Sequence, residues 1–187
     1  MTLTPWKKLS TEVLDENPYW KYCKAKFIGP YGVPHDYFFC ETLGAAQIIA
    51  VDESGKILLI KQFRPLFMTE SIEFPMGGTG GEDPLVAATR EFAEEAKMSA
   101  QYFAHIGMFS ACNGVLTEVC NTFVAWDLTP INSAHDSQEQ FEYLRVTPEE
   151  LEAMIVAGTF IDGMCIAGWH QAKPKVMEII DQQRRGG

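Results

Sequence analysis

Apolar residues lie in short runs along this chain, and turn-forming residues separate the runs. Residues 45–51 predict a strand, residues 52–55 supply the polar and glycine positions of a turn, and residues 56–63 predict the next strand. Together they form a predicted hairpin. Before the hairpin, residues 1 to about 45 alternate aromatic runs with Asn-Pro and Gly-Pro breaks, which predicts further strands and turns.

A helix is predicted over residues 84–97. Asp83 can cap its first turn, and the proline that follows is favoured at the first helical position. Glu91 and Glu95 are four residues apart, so a helix places both carboxylates on one face, with Glu94 beside them. Because like charges at this spacing repel, the pattern favours a bound divalent cation, and Mg²⁺ and Mn²⁺ both prefer oxygen ligands. The alternative is an acidic helix that is only solvated.

The second half of the chain alternates predicted strands with helices. Thr147 and Pro148 provide a capped start for one helix, and Pro174 is expected to break the helical region that contains it. Strands before, around and after the acidic helix indicate an α/β sandwich with a mixed sheet. The predicted segments are strands at residues 102–110, 117–127 and 141–146, a polar loop at residues 131–140, and one or more helices within residues 161–183.

Composition narrows the function classes. With 187 residues, the chain fits one domain of ordinary size, with or without an appendage. A net charge of −10 argues against nucleic-acid binding and suits a protein that recruits cations before it binds anionic substrates. Five scattered cysteines without a CxxC pair predict reduced thiols and a cytoplasmic location. The N-terminus lacks the apolar core of a signal peptide, and we expect no membrane association because the apolar runs are too short.

The acidic residues around position 90 resemble the motif of a known family. Glu82, Arg90-Glu91 and Glu94-Glu95 follow the spacing Glu-x7-Arg-Glu-x-x-Glu-Glu. The chain is therefore similar to the Nudix hydrolases, whose motif sets this acidic core between two glycines. Two positions depart from that motif. Gly77 lies five rather than six residues before Glu82, and Lys97 stands in the place of the second glycine.

Segments outside this motif resemble one branch of the family, the ADP-ribose and nucleoside-diphosphate-sugar pyrophosphatases. They are Asn17-Pro18-Tyr19-Trp20, Gln62-Phe63-Arg64-Pro65, Glu73-Phe74-Pro75 and Gly114-Val115-Leu116-Thr117-Glu118. The resemblance implies a Nudix α/β/α sandwich over residues 45–187 and an N-terminal β segment, residues 1–44, that takes part in a homodimer. Asn113 stands where ADP-ribose enzymes usually have proline. This departure favours a broader range of sugars, including a GDP-mannose type.

The resemblance also implies a reaction. An enzyme of this branch uses Mg²⁺, with Mn²⁺ as an alternative, to hydrolyse a nucleoside-diphosphate sugar to a nucleoside monophosphate and a sugar phosphate. Glu82 and Arg90 are expected to hold the loop and the helix together. Glu139 is the expected general base, with Asp136 and Glu142 as alternatives. The expected metal ligands are the carboxylates of Glu91, Glu94, Glu95 and Glu139 and the backbone carbonyl of Met76, and the expected catalytic set is Glu94, Glu95 and Glu139.

The substrate contacts leave alternatives open. Tyr19 and Trp20 either stack on the nucleobase or pack in the core or in a dimer interface. Arg64 either contacts the diphosphate or sugar, or pairs with Glu73, which can also accept a hydrogen bond from the base. The expected substrate contacts are Tyr19, Trp20, Arg64, Glu73, Gly77 and Glu118.

Two other functions compete with this reading. One is a nucleotide-sugar-binding regulatory module that has lost catalysis, which the shortened loop and Lys97 would support. The other is a hydrolase of a different nucleoside diphosphate derivative. Metal-dependent turnover separates the first alternative from an enzyme, and the choice of substrate separates the second.

Overall fold

The computed structural model describes residues 2–132 and 140–186, and the chain divides into two compact units. The first unit combines Met1–Gly44 with Ser110–Val119, and the second combines Ala45–Phe109 with Cys120–Gly187. The roles predicted for residues 1–44 and 45–187 stay predictions. The N-terminal compact unit also contains a later segment, Ser110–Val119.

The first unit is a three-stranded antiparallel sheet. Its strands β1 (Lys7–Glu16), β2 (Lys21–Ile28) and β3 (Pro34–Glu41) pair in that order. The Asn17 side chain accepts hydrogen bonds from the backbone N–H groups of Tyr19 and Trp20, at 2.9 and 3.0 Å, and so closes the turn between β1 and β2. Every residue of β1 is exposed.

The second unit contains a seven-stranded mixed sheet. Five strands follow the order β10-β5-β4-β9-β8, while β6 pairs with β5 and β7 pairs with β4. Strand β4 runs parallel to β9 and antiparallel to β5 and β7. The strands are β4 (Ala45–Val51), β5 (Ile57–Arg64), β6 (Thr69–Glu73), β7 (Met76–Gly78), β8 (Met98–Ser110), β9 (Val119–Pro130) and β10 (Glu142–Val146).

Three helices complete the second unit, namely α1 (Pro84–Glu95), α2 (Pro148–Ala157) and α3 (Gly163–Gly186). The predicted helix starts are confirmed. The Asp83 side chain accepts from the Leu85 N–H at 2.9 Å, and Thr147 forms a capping box with Glu150. Helix α1 ends two residues earlier than predicted, and Lys97 after it adopts a left-handed φ of 56°.

The sheet lies between helices, and alternate residues of its strands face opposite layers. On β4, Ile49 and Val51 pack in a cluster with α3, while Ile48 and Ala50 pack in a second cluster with α1. Both layers are apolar, which explains why β4 is buried along its whole length. The predicted α/β/α sandwich with a mixed sheet is confirmed.

One prediction about the helices is wrong. Helix α3 runs without interruption through Pro174 instead of breaking before it. A proline inside a helix costs about 3 kcal/mol because it removes one backbone hydrogen bond and crowds the preceding turn. Pro174 itself is exposed, whereas Trp169, Val176 and Ile180 keep a continuous buried face on both sides of it. Burial of that face offsets the local cost.

Two further expectations concern cysteines and membranes. All five cysteines are free thiols, and Cys165 is fully buried, so burial raises the pKa of its thiol. In the described part of the chain, none of the helices is both long and apolar enough to span a membrane.

Candidate functional site

Strand β7 brings the glycine-rich turn against the acidic helix α1. The Met76 backbone N–H donates to Oε2 of Glu95 at 2.8 Å. At the next position, an added Cβ on Gly77 would lie 2.1 Å from the carboxyl carbon of Glu91. Glycine at this position therefore leaves the space that the Glu91 carboxylate fills.

The predicted pair of carboxylates lies on the inner part of α1. Glu95 is 7% exposed, and the side chain of Glu91 is 13% exposed, whereas Glu94 is exposed. A buried carboxylate needs hydrogen-bond donors or a cation to offset the loss of hydration. Met76 supplies such a donor to Glu95, and Arg90 supplies one to Glu91.

Arg90 connects the acidic residues of the motif with one another. Its Nη1 lies 2.7 Å from Oε1 of Glu91 and 3.3 Å from Oε2 of Glu94. Its Nε lies 3.5 Å from Oε2 of Glu82, and its Nη2 donates to the carbonyl of Gly78 at 3.1 Å. The guanidinium thus contacts both the turn after β7 and helix α1. The structural role of the Glu82–Arg90 pair stays a prediction.

The donor chemistry of this cluster fits a hard divalent cation. Glu95 offers carboxylate oxygens beside the backbone of Met76, Glu91 offers them beside Gly77, and Glu94 shares the Arg90 guanidinium with Glu91. Within residues 2–132 and 140–186, however, no three His, Cys, Asp or Glu side chains converge closely enough to hold a metal ion. In this arrangement Arg90 provides the positive charge between Glu91 and Glu94.

Arg64 and Glu73 pair with each other across the hairpin of β5 and β6. Nε of Arg64 lies 2.8 Å from Oε1 of Glu73, and Nη2 makes a second contact with the other carboxylate oxygen. The Glu73 hydrogen bonds raise the pKa of Arg64. Since Glu73 is only 2% exposed, this two-pronged pair neutralises a buried carboxylate. The structure contains the bridge, and the substrate contacts of both residues stay a prediction.

Tyr143 is a neighbour of the site that the sequence analysis missed. Its hydroxyl donates to the backbone carbonyl of Glu95 at 3.0 Å, so it ties β10 to the end of α1. Partial burial and the nearby Glu95 charge raise the pKa of Tyr143. Sequence spacing gives no signal for this contact, because 48 residues separate the two partners.

The candidates for the general base are only partly described. Glu139 and Asp136 lie outside the described residues. Glu142 lies on β10 with an exposed side chain, and its Oε2 is 2.8 Å from Nζ of Lys61. Glu142 is thus engaged in a surface ion pair in this structure.

The remaining predicted substrate contacts belong to the first unit. Tyr19 is 84% exposed and Trp20 is 41% exposed, so neither is a core residue of this chain. Glu118 is half-buried, and this burial raises the pKa of its carboxyl group. Stacking on a base and packing in a dimer remain the two predictions for the aromatic pair.

Comparisons with known proteins show a family and several relatives. A family model described as NUDIX domain matches residues 42–161. An ADP-ribose pyrophosphatase from Bacillus subtilis (strain 168) is 33% identical over 110 residues, which are 57% of this chain and 60% of that protein. A methanol dehydrogenase activator from Bacillus methanolicus is 29% identical with the same coverage of both chains. The match thus spans about 60% of the length of these two relatives.

Two further similarities concern a more distant relative and the fold. An ADP-ribose pyrophosphatase from Mycobacterium tuberculosis (strain ATCC 25618 / H37Rv) is 25% identical over 132 residues, which are 68% of this chain and 64% of that protein. The crystal structure of an ADP compounds hydrolase superposes with a TM-score of 0.82 at 18% identity, over 95% of this chain and 97% of that one. At this identity the likeness demonstrates a shared fold.

Proposed function

Because the chain belongs to the NUDIX domain family, we propose that it is a Mg²⁺-dependent hydrolase that cleaves the diphosphate of a nucleoside-diphosphate sugar such as ADP-ribose. The products would be a nucleoside monophosphate and a sugar phosphate. Mn²⁺ is the alternative metal, because it prefers the same oxygen ligands.

The contact of Gly77 with Glu91 carries this proposal. A helix that served only as a solvated acidic surface would have no need of a glycine that clears space for a largely buried carboxylate. The neighbouring Glu95 is also buried and faces the same strand. The protein therefore keeps two repelling carboxylates close together at the cost of their hydration, and a cation is the simplest reason for doing so.

The chain's own residues suggest how the reaction would proceed. Glu91, Glu94, Glu95 and the Met76 carbonyl would hold Mg²⁺, which would supply charge neutralisation of the diphosphate and acidify a bound water. When the cation binds, Arg90 would lose its contacts with Glu91 and Glu94. It would keep the contacts that it already makes with Glu82 and the Gly78 carbonyl. The Met76 N–H holds the carboxylate of Glu95, and the Tyr143 hydroxyl holds its backbone carbonyl.

A general base would take the proton from the attacking water. Glu139 is the proposed base, with Asp136 as an alternative. Glu142 is a weaker alternative, since its carboxylate pairs with Lys61 on an exposed face of β10. Replacing Glu139 by Gln should reduce turnover at least about 100-fold, since general-base catalysis typically contributes 10²–10⁴-fold. Undiminished turnover would remove Glu139 from the mechanism.

Substrate choice rests on the relatives and on the departures from their pattern. Two relatives are named ADP-ribose pyrophosphatases, which supports a nucleoside-diphosphate sugar as substrate. Asn113 in place of the usual proline supports a range of sugars beyond ADP-ribose.

We further propose a homodimer in which residues 1–44 contribute the interface, because every side chain of β1 is exposed and several are large and apolar. In that dimer Tyr19 and Trp20 would be available to a nucleobase.

The test is phosphate release coupled to a phosphatase, with and without Mg²⁺. The phosphatase removes phosphate from the two monoester products but leaves the intact diphosphate alone. ADP-ribose, GDP-mannose, UDP-glucose and a dinucleotide polyphosphate form the panel. Glu95→Gln keeps the size of the side chain and removes its charge, so we expect activity to fall by several orders of magnitude. Glu149→Gln, on an exposed turn of α2, is the matched control and should retain activity.

A regulatory function is the second candidate. It is favoured by the similarity to a protein named methanol dehydrogenase activator. Tight binding of ADP-ribose without turnover, under every metal condition, would support a nucleotide-sugar-binding module instead of an enzyme. Turnover of the dinucleotide alone would support a hydrolase of another nucleoside diphosphate derivative.

A further inference from the structure

A cavity of about 410 Å³ lies at the start of α1, against strands β8 and β9. Ligand pockets for small molecules usually fall between about 300 and 1,000 Å³. The side chain of Leu85 is 43% exposed, so the cavity opens to solvent on the side of the helix. The residues that line it and carry the argument are Asp83, Leu85, Phe103, His105, Asn121 and Phe123.

This cavity lies on a different face of α1 from the carboxylates. Leu85 and Phe92 are seven residues apart and share one face, and Phe92 packs edge-on against Phe103 with ring centroids 6.2 Å apart. Six residues separate Leu85 from Glu91, which places their side chains about a third of a turn apart and about 9 Å apart along the axis. A ligand in the cavity would therefore not contact the Gly77–Glu91 pair directly.

The walls of the cavity suit a planar ring. Phe103 and Phe123 contribute aromatic surface from adjacent strands, and the His105 ring lies 5.1 Å from that of Phe123 at an angle of 51°. Aromatic rings favour offset-stacked or edge-to-face neighbours at such distances. An aliphatic ligand would fill the same volume without using this arrangement.

The polar part of the cavity offers both hydrogen-bond donors and acceptors. His105 Nε2 and Asn121 Oδ1 lie 3.1 Å apart and orient each other. An asparagine amide and an imidazole together have more hydrogen-bonding capacity than this single contact uses, because Nδ1 of the imidazole and the Nδ2 amide group of the asparagine take no part in it. A ligand edge that carries a donor next to an acceptor would match this pair.

Charge decides between neutral and anionic ligands. Asp83 belongs to the lining, and its carboxylate accepts from the Leu85 N–H at the N-terminus of α1, so the helix end that would otherwise attract an anion already holds one. The protein also carries a net charge of −10, which disfavours a phosphate or carboxylate ligand. We propose that this cavity binds a neutral, planar nitrogen heterocycle that carries a hydrogen-bond donor beside an acceptor, at a site separate from the acidic motif. The proposal is independent of the proposed hydrolysis.

Isothermal titration calorimetry with nicotinamide and with its carboxylate analogue, nicotinate, tests the proposal. The two probes share a ring and differ chiefly in charge. For a ligand of this size we expect nicotinamide to bind with a dissociation constant of about 1 mM or below. Nicotinate should bind at least about tenfold more weakly, because Asp83 repels it.

Four variants locate the binding site. Leu85→Trp fills the cavity from the exposed helix face, and His105→Ala removes the polar partner; each should weaken nicotinamide binding about tenfold or more. Gln101→Ala removes an exposed side chain that lies on β8, as His105 does, but outside the cavity, so it should leave nicotinamide binding unchanged. Glu95→Gln should also leave it unchanged, since the site is separate from the carboxylates. Circular dichroism confirms that each variant is folded.

Three outcomes would overturn the proposal. The first is absence of nicotinamide binding at millimolar concentrations. The second is equal binding by the wild type, Leu85→Trp and His105→Ala. The third is loss of binding in Glu95→Gln, which would place the heterocycle at the acidic motif instead.

Discussion

Replacing Gly77 by Ala is the sharpest perturbation of the candidate site. The backbone of Gly77 does not require a left-handed φ, so alanine introduces only its methyl group. That methyl would lie 2.1 Å from the carboxyl carbon of Glu91, whereas ordinary contacts begin at 3.4 Å. To restore an ordinary contact the carboxylate must move by about 1.3 Å, the difference between 3.4 and 2.1 Å.

The size of the effect follows from what holds Glu91. Its partner Arg90 lies 2.7 Å away and is partly exposed, so losing their ion pair costs about 0.2–1 kcal/mol. Adding a methyl group to a well-packed contact typically costs about 1–3 kcal/mol. Because the carboxylate ends a flexible side chain, we expect about 1–2 kcal/mol in unfolding free energy, near the lower end of the packing range. A misplacement of about 1 Å at a reacting centre can reduce the rate about 100-fold.

Two measurements separate the effect on activity from the effect on stability. Urea unfolding gives the loss of folding free energy, and phosphate release from ADP-ribose with saturating Mg²⁺ gives kcat/KM. Gly163→Ala is the matched control, because an added Cβ at this position of α3 meets no atom within 4 Å. If Gly77→Ala retained kcat/KM within about threefold of the control, roughly 0.7 kcal/mol, the position of Glu91 would not matter for the reaction.

Three further substitutions test the packing described above. Lys97→Gly should raise the unfolding free energy by about 0.5–1 kcal/mol. A left-handed φ of 56° costs an L-residue about 1–2 kcal/mol, and the greater flexibility of glycine in the unfolded chain cancels part of the gain. Lower stability in urea would contradict this. Gly168→Ala should destabilise by about 3 kcal/mol, since its Cβ would lie 1.9 Å from Nε2 of the buried Gln47, and Gly168→Ala with Gln47→Ala should recover part of that loss. Pro174→Ala should stabilise the protein by about 1–2 kcal/mol by restoring a helical hydrogen bond, and an unchanged urea midpoint would show that the helix already accommodates the proline.

Local sequence signals predicted most of the fold. Asp83 and Thr147 marked the two helix starts because a capping side chain acts within three residues of itself. The apolar run 45–51 marked the central strand because both of its faces are buried. The predicted break at Pro174 is wrong for the opposite reason, because the packing that keeps α3 continuous comes from strands that are distant in the sequence.

The candidate site was predictable where its residues belong to the acidic motif and the turn before it. Spacing along α1 predicted that Glu91 and Glu95 share one face, but the contact of Tyr143 with the end of that helix depends on strand β10. The cavity beside Leu85 likewise joins residues that are 38 positions apart, from Leu85 to Phe123, and no local pattern relates them. Lys97 is an intermediate case. The departure from the family's glycine was visible in the sequence, and the left-handed φ explains why glycine is usual there.

Arg90 links the structure of the site to its proposed chemistry. Four oxygen partners surround its guanidinium, and two of them, on Glu91 and Glu94, belong to proposed metal ligands. The Arg90 guanidinium therefore lies next to the proposed position of the metal ion, and the two positive charges would repel each other at that distance. Since Glu82 and the Gly78 carbonyl would still hold the guanidinium, metal binding would shift Arg90 without releasing it. The same side chain would then stabilise the site before the metal enters and hold the glycine-rich turn on α1 afterwards.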